Sequence, residues 1–218
     1  MGKHALVAVV ISILLSAAAV GLVIKRSGSA TQAQQRPDIR SETLRTQAEK
    51  SGSATATARP TNLRRYDTVD ALAHDSKAII VGRVDTKTSQ LLPPAEKLVV
   101  TDFQITVQDA MKGVLARGQS VRVRTPGGRV DLGNGKYAEV KLPDFWKSPE
   151  VGKLYVFFLE GRNDGSFVLR GGPQGLFEVT PARTIKAQVR PEDKLMQNYN
   201  DKSLVSFLDE IRRASKKR

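Results

Sequence analysis

The sequence has no cysteine and only two histidines, His4 and His74, in 218 residues. Without thiols there is no disulfide, no thiolate metal site, no thiol catalysis and no cysteine-linked lipid anchor. A myristoylation signal is also absent, because position 6 is Leu where Ser or Thr is needed. His4 flanks an apolar run, which leaves His74 alone for the rest of the chain and excludes histidine-rich zinc sites and HExxH chemistry. His74 stands beside Asp75 and four residues after Asp70, but no GxSxG nucleophile elbow accompanies it. It reads as a helix-end histidine. Aromatic residues make up only 6% of the chain, with Trp146 the single tryptophan.

Charge is missing altogether from residues 5–24, ALVAVVISILLSAAAVGLVI, which are bracketed by Lys3-His4 and Lys25-Arg26. A helix of 20 such residues rises about 30 Å, the thickness of a bilayer's hydrocarbon core. The run predicts a retained single-span anchor behind a four-residue basic head. The alternative is a cleavable signal, with Ala17 and Ala19 as its small-x-small site, which would release a secreted protein. Basic residues after the run (Lys25, Arg26, Arg36, Arg40, Arg45) favour a cytoplasmic domain by the positive-inside rule. The short basic head is the form of an export signal, however, and long C-terminal domains translocate largely regardless of charge. The expected location is therefore the cytoplasmic membrane, single-pass, with the domain on the extracytoplasmic side.

Large apolar residues are scarce from Ser27 to about Pro60, where Ser, Thr, Ala, Gln, Gly and Arg dominate and Leu44 is the only large aliphatic after Ile39. Such a stretch buries too little apolar area to offset its ordering entropy, so residues 25–60 are expected to be a disordered linker. A helix over 39–50 is the competing reading, marginal because it lacks an apolar face.

Residues 61–218 suit one domain with one core. A short helix is expected from Thr68 to His74, capped by Asp67 or Thr68. Strands follow at 77–86, 98–110 and 120–125, where Val121 and Val123 alternate with Arg122 and Arg124. Asn134-Gly135 between VDL and KYAEV signals a hairpin. LYVFFL at 154–159 is apolar on both faces and should be central; strands at 167–170 and 176–180 follow. Leu204, Phe207, Leu208 and Ile211 form the apolar stripe of an amphipathic helix at 201–215, capped by Asn200 or Asp201. The expectation is a mainly β fold, a small barrel or sandwich, with one helix at each end.

The succession SKAIIVGRV, TDFQITVQDAMKG, SVRVRTPGG and VGKLYVFFLEGRNDGSFVLRGGPQGLFEV resembles a group of uncharacterised bacterial exported proteins. More distantly it resembles the netrin-like domain of tissue inhibitors of metalloproteinases. The resemblance covers about residues 68–180, with Met111-Lys112-Gly113 as a strand end and 152–159 as a strand entry. It implies an OB-like, five-stranded barrel with flanking helices. Those inhibitors present an N-terminal cysteine to zinc, so their inhibitory residues do not carry over to a chain without cysteine.

Carboxylates at Asp102, Asp109, Asp131, Glu139 and Asp144 lie in or near strands, but nothing selects two of them as a glycosidase pair. Gly127-Gly128 and Gly171-Gly172 with Gly175 lack Walker spacing and read as turns and close packing, and no cofactor is expected. The remaining clue is charge. Lys and Arg number 35 against 22 Asp and Glu, a net charge of +13. Were the central strands side by side, Arg122, Arg124, Arg129 and Lys136, with Tyr137 interleaved and Trp146 nearby, would form a basic, aromatic face for an anionic ligand. The primary expectation is a non-catalytic, membrane-tethered binding module of the bacterial envelope, partnered by an envelope protein or anionic polymer. The alternatives are an OB-like nucleic-acid or polyanion binder and, third, a carboxylate-based enzyme.

Overall fold

The computed structural model describes residues 42–58 and 63–216. The apolar run at 5–24, and with it the expected anchor, lies outside them. Among the described residues no helix is long and apolar enough to cross a membrane.

Among the described residues strand outweighs helix by 42% to 22%, so this part of the chain is mainly β. In chain order the elements are α1 (Leu44–Ser51), β1 (Ser53–Thr57), α2 (Val69–Asp75), β2 (Ala78–Leu91), β3 (Val99–Lys112), β4 (Ser120–Pro126), β5 (Gly128–Gly133) and β6 (Lys136–Lys141). There follow β7 (Leu154–Gly161), β8 (Phe167–Leu169), a 3-10 turn (Gly172–Gly175), β9 (Leu176–Val179), β10 (Ile185–Ala187), α3 (Lys194–Tyr199) and α4 (Leu204–Lys216).

Two sheets result. The larger runs β10-β9-β7-β2-β3-β4-β8, and β8 also pairs with β7, so five of its strands make a partly closed ring. All neighbours in this sheet are antiparallel except β4 and β8, which are parallel. Period-two alternation places Phe103, Ile105, Val121, Val123, Tyr155, Phe157 and Leu159 inside the ring. The opposite face of β2, β7 and β9 packs Ile79, Val81, Val156, Phe158 and Phe177 beneath α2, α3 and α4. The two-sided apolarity of LYVFFL has this origin: its alternate residues serve two cores.

Thr68 caps α2 by accepting the Ala71 N–H, as expected. In α4, Leu204, Phe207, Leu208 and Ile211 are all buried. The helix begins at Leu204 rather than 201, because the preceding residues are used otherwise. Asp201 adopts φ 62° and donates its N–H to Ile185, while Ser203 bridges Thr184.

The linker expectation over 25–60 needs correction for its described part. Thr43 caps α1, Gly52 ends it in the left-handed conformation at φ 85°, and Leu44 and Ala48 are buried one turn apart. β1 lies parallel to β6 and, with β5, completes a three-stranded second sheet in the order β1-β6-β5. A two-residue apolar face suffices because the far half of the β2–β3 hairpin, with Leu91 and Val99, extends beyond the ring and supplies the other side of a third core. Docking, rather than propensity, orders the helix.

Candidate functional site

The six residues expected to form one basic face are divided between the two sheets, with Trp146 outside both. β4 pairs with β3 and β8, whereas the β5–β6 hairpin belongs to the other sheet, so the strands carrying the arginines are not consecutive neighbours. Gly127 and Gly128, at φ 83° and 130°, take the chain from one sheet to the other. A Cβ on Gly128 would sit 2.3 Å from Thr101 Oγ1, so the backbone there lies against the hairpin, as the turn-and-packing reading of these glycines expects.

On β4 the positive charge is matched locally. Arg124 stands in register with Asp102 and makes a bidentate pair with it, Nε to Oδ1 at 2.7 Å and Nη2 to Oδ2 at 2.8 Å. Its Nη1 lies 3.3 Å from Asp164 Oδ2. The hydrogen bond from Arg124 to Asp102 raises the guanidinium pKa, and bonds from the Ser166 hydroxyl and N–H hold the Asp164 carboxyl below its ordinary range. Arg122 Nη2 donates to the Asp164 carbonyl at 3.2 Å. Both arginines thus reach Asp164 in the turn 162–166, Arg124 at its carboxylate and Arg122 at its backbone carbonyl.

In the hairpin, Arg129 is exposed and its guanidinium carbon lies 3.6 Å from the Tyr137 ring centroid. The Lys136 ammonium donates to the Glu49 carbonyl at 2.6 Å, on the last turn of α1. Trp146 is not an exposed platform: it is 7% exposed and packs against Gly172, where a Cβ would meet its ring at 3.1 Å.

What the sequence reading missed is a cleft beside Trp146. Its volume is about 320 Å³, and its walls come from four separate segments: Leu63 and Arg65, Phe145, Gly171 to Gln174, and Val189 to Asp193. The buried Gln174 fixes the floor. Its Oε1 accepts the Tyr66 N–H at 2.9 Å, and its Nε2 donates to the Tyr66 carbonyl at 2.9 Å and to Asp193 at 2.9 Å. Asp193 in turn caps α3 through the Leu195 N–H. Arg190 lies with its guanidinium carbon 4.0 Å from the Phe145 centroid and only loosely, at 3.7 Å, from Glu192. Arg65 is exposed and has no ion-pair partner among the described residues. The lining is mixed. Leu63, Phe145, Pro173 and Val189 are apolar, while Arg65 and Arg190 face the carboxylates Glu192 and Asp193. Asp193 is already engaged by Gln174 and the Leu195 N–H, which leaves the two guanidinium groups beside an aromatic ring as the donors available to a carboxylate with an apolar neighbour. No local motif announces this site, since residues about 45 apart in sequence make the Phe145–Arg190 stack.

His74 remains at the end of α2, its Nδ1 3.2 Å from Asp75 Oδ1. That contact leads those holding the Asp75 carboxyl below its usual pKa, with Tyr66, Arg64 and Arg170 also bonding it. Asp75 therefore anchors a structural knot, in which Arg170 also reaches the Tyr66 hydroxyl at 2.9 Å and Glu160 at 2.9 Å. Among the described residues no three His, Asp or Glu converge as a metal site.

A second buried hydroxyl gives a pH signature. Burial, then its 2.7 Å hydrogen bond to Glu210, pushes the Tyr199 phenol up to about 12. An unfolded tyrosine loses its proton near pH 10 while the folded one keeps it, so the unfolded state binds fewer protons in this window. Stability is expected to fall from about pH 10 to about pH 12, and less steeply in Tyr199→Phe; urea unfolding of both proteins at pH 9, 10 and 11 measures the difference. The sequence matches no protein-family model, and comparison with curated proteins finds no match.

Proposed function

We propose that this chain is a membrane-tethered, extracytoplasmic binding module of the bacterial envelope, non-catalytic, whose ligand enters the cleft between Phe145, Arg190 and Arg65. The cleft is the observation that carries this reading. Its occupant would be a segment of an envelope protein, or an anionic polymer, that offers a carboxylate next to an apolar group. The reading also takes the ring as OB-like and the chain as related to the exported and netrin-like proteins that it resembles. Two features support the OB-like reading: the ring order β2-β3-β4-β8-β7, in which the fifth strand inserts between the third and fourth, and the parallel β4–β8 pair. The apolar run at 5–24 supports the tether.

The test uses the full chain in detergent micelles and labelled octapeptides that carry Asp or Glu beside Leu or Phe, each with an amide counterpart. Binding of the carboxylate peptides is expected to weaken tenfold or more in Arg190→Ala, about 1.4 kcal/mol. Equal binding of the amide peptides, or turnover of a substrate in a broad hydrolase screen, counts against the proposal. A reporter fused to the C-terminus tests orientation; cytoplasmic activity would remove the envelope role.

Arg129 stacked on Tyr137 favours a second reading, binding of a nucleic acid or another polyanion. Its signature is affinity for a labelled oligonucleotide that falls steeply with salt and drops in Arg129→Ala. No binding at low ionic strength would sink it.

A further inference from the structure

Val114 is the most exposed large apolar side chain among the described residues, at 98%. It stands in the loop between β3 and β4, and that loop is held in shape. Gly113 and Gly118 turn it at φ 94° and 83°, Gly118 donates its N–H to the Val107 carbonyl, and the Gln119 side chain accepts the Ala116 N–H at 3.1 Å. Leu115 turns inward against the ring core. The fixed backbone thus sends one apolar residue in and its neighbour fully out.

Cations surround this tip. Lys112 precedes it and donates its ammonium to the Ala73 and His74 carbonyls at the end of α2, both at 2.8 Å. A Cβ on Gly113 would sit 2.9 Å from the Lys77 carbonyl. Burial lowers the Lys112 pKa, Asp75 raises it, and the charge of the neighbouring Lys77 lowers it further. Arg117 lies three residues past Val114. Lys77 and Arg117 are exposed and have no ion-pair partner among the described residues. Asp75 and Asp109, on the adjoining helix end and strand end, are already paired, with Arg64 at 2.6 Å and Arg212 at 3.5 Å.

We infer that this end of the ring is a docking surface for an anionic lipid bilayer, on which Lys77, Lys112 and Arg117 meet headgroup phosphates while Val114 enters the interface. The sign of the occupant follows from the cations left without counter-charge. A protein partner fits poorly, because a stable interface covers about 800 Å² on each side around aromatic or arginine anchors, and here a single valine stands between small residues. Nucleic acid fits poorly as well, since residues 108–120 contain no aromatic ring on which a base could stack. Phosphates above acyl chains accept both the cations and the aliphatic tip. Each cation near such a surface contributes about fivefold in affinity, so the loop is a weak second signal that orients a domain already near a membrane. The inference goes beyond the cleft and uses the tether proposed above only to bring the domain to the bilayer.

The test uses the full chain, in which an introduced cysteine is the only thiol. Val114→Cys carries a polarity-sensitive fluorophore, and the protein is reconstituted into vesicles of phosphatidylcholine alone or with about one-third phosphatidylglycerol. Val151→Cys, 50% exposed, is the control; it adjoins Gly152, which bonds Val84 about 20 Å along β2 from Ala78. In anionic vesicles the probe at 114 is expected to shift to shorter wavelength and to be quenched by nitroxide-bearing lipid about threefold more than the probe at 151. Both effects are expected to vanish in phosphatidylcholine alone and in about 1 M salt, where the Debye length is about 3 Å. They are also expected to vanish when Lys77→Glu and Arg117→Glu are combined, with near-UV circular dichroism unchanged. A probe at 114 that stays as open to aqueous iodide in anionic as in neutral vesicles overturns the inference. So does quenching that persists in the double variant, or equal quenching at 151, which would assign the effect to the charge of the whole chain. A probe that responds to an oligonucleotide and not to vesicles overturns it too. Flotation with neutral vesicles reports the tether separately, so failure of that reading and failure of the docking surface are told apart.

Discussion

Phe207→Ala is expected to lower the unfolding free energy by about 3–5 kcal/mol. The side chain is fully buried where three elements meet, its ring 4.9 Å from Phe177, 5.7 Å from Tyr199 and 6.4 Å from Phe158 between centroids. Truncation removes the transfer free energy of the benzyl group and leaves a hole lined by aromatic rings, which are too large to close over it. It also loosens α4 from β7 and β9, because this one side chain touches both strands and α3 at once. Urea unfolding followed by the fluorescence of Trp146, the single tryptophan, measures the loss. A change below 1 kcal/mol would mean that α4 lies outside the cooperative core. Val205→Ala on the same helix, 59% exposed, should change stability by no more than about 0.5 kcal/mol.

Gly175→Ala is expected to cost about 3 kcal/mol, though it adds a single methyl group. That methyl would lie 2.4 Å from the Arg170 carbonyl oxygen, 3.0 Å from the Phe158 carbonyl oxygen and 3.1 Å from the Arg170 nitrogen. These are backbone atoms, so no rotamer change relieves the contact. Arg170 donates its N–H to the Phe158 carbonyl at 2.8 Å, next to the β7–β8 pairing that completes the ring. The clash therefore falls at the ring's closure and one residue from Gln174, the floor of the cleft. Gly161→Ala, whose nearest neighbour would be 4.0 Å away, separates this effect from the general one of replacing glycine in a strand and should be near neutral. Equal midpoints for the two variants in urea would refute the steric argument.

Local patterns carried most of the strands into view. The alternation in 77–86, 98–110 and 120–125, the Asn134-Gly135 turn and the double-faced LYVFFL run all report burial of neighbouring residues, which is written in adjacent letters. α1 and β1 were hidden for the opposite reason. Leu44, Ala48 and Ala54 are few and small, and their burial depends on Leu91, Val99, Ala138 and Val140, which are 37 or more residues distant. β10 and α3 were missed because three residues and six residues are too short to show a period. The arginines were found, but their neutralisation was not: Asp102 and Asp164 meet Arg124 through strand register and a turn, neither of which composition records. The cleft was invisible because each wall comes from a different part of the chain.

The parallel pairing of β4 with β8 sets an order on folding. Residues 123 and 167 are register partners, and everything between them, including the whole β5–β6 hairpin, must be made before the ring can close. On a ribosome, β2, β3 and β4 follow α1, β1 and α2 and form an open meander whose inner face already carries Phe103, Ile105, Val121 and Val123. This sheet has nothing to bury that face until β7 and β8 arrive, and its other side has only α2 until α3 and α4 are made. Nascent chains halted near residue 150 should therefore be protease-sensitive and bound by holding chaperones, whereas chains extended past α4 should not. Ring closure by the return of a three-residue strand, with loop closure over some forty residues as its entropic cost, is therefore expected to be the late step of folding.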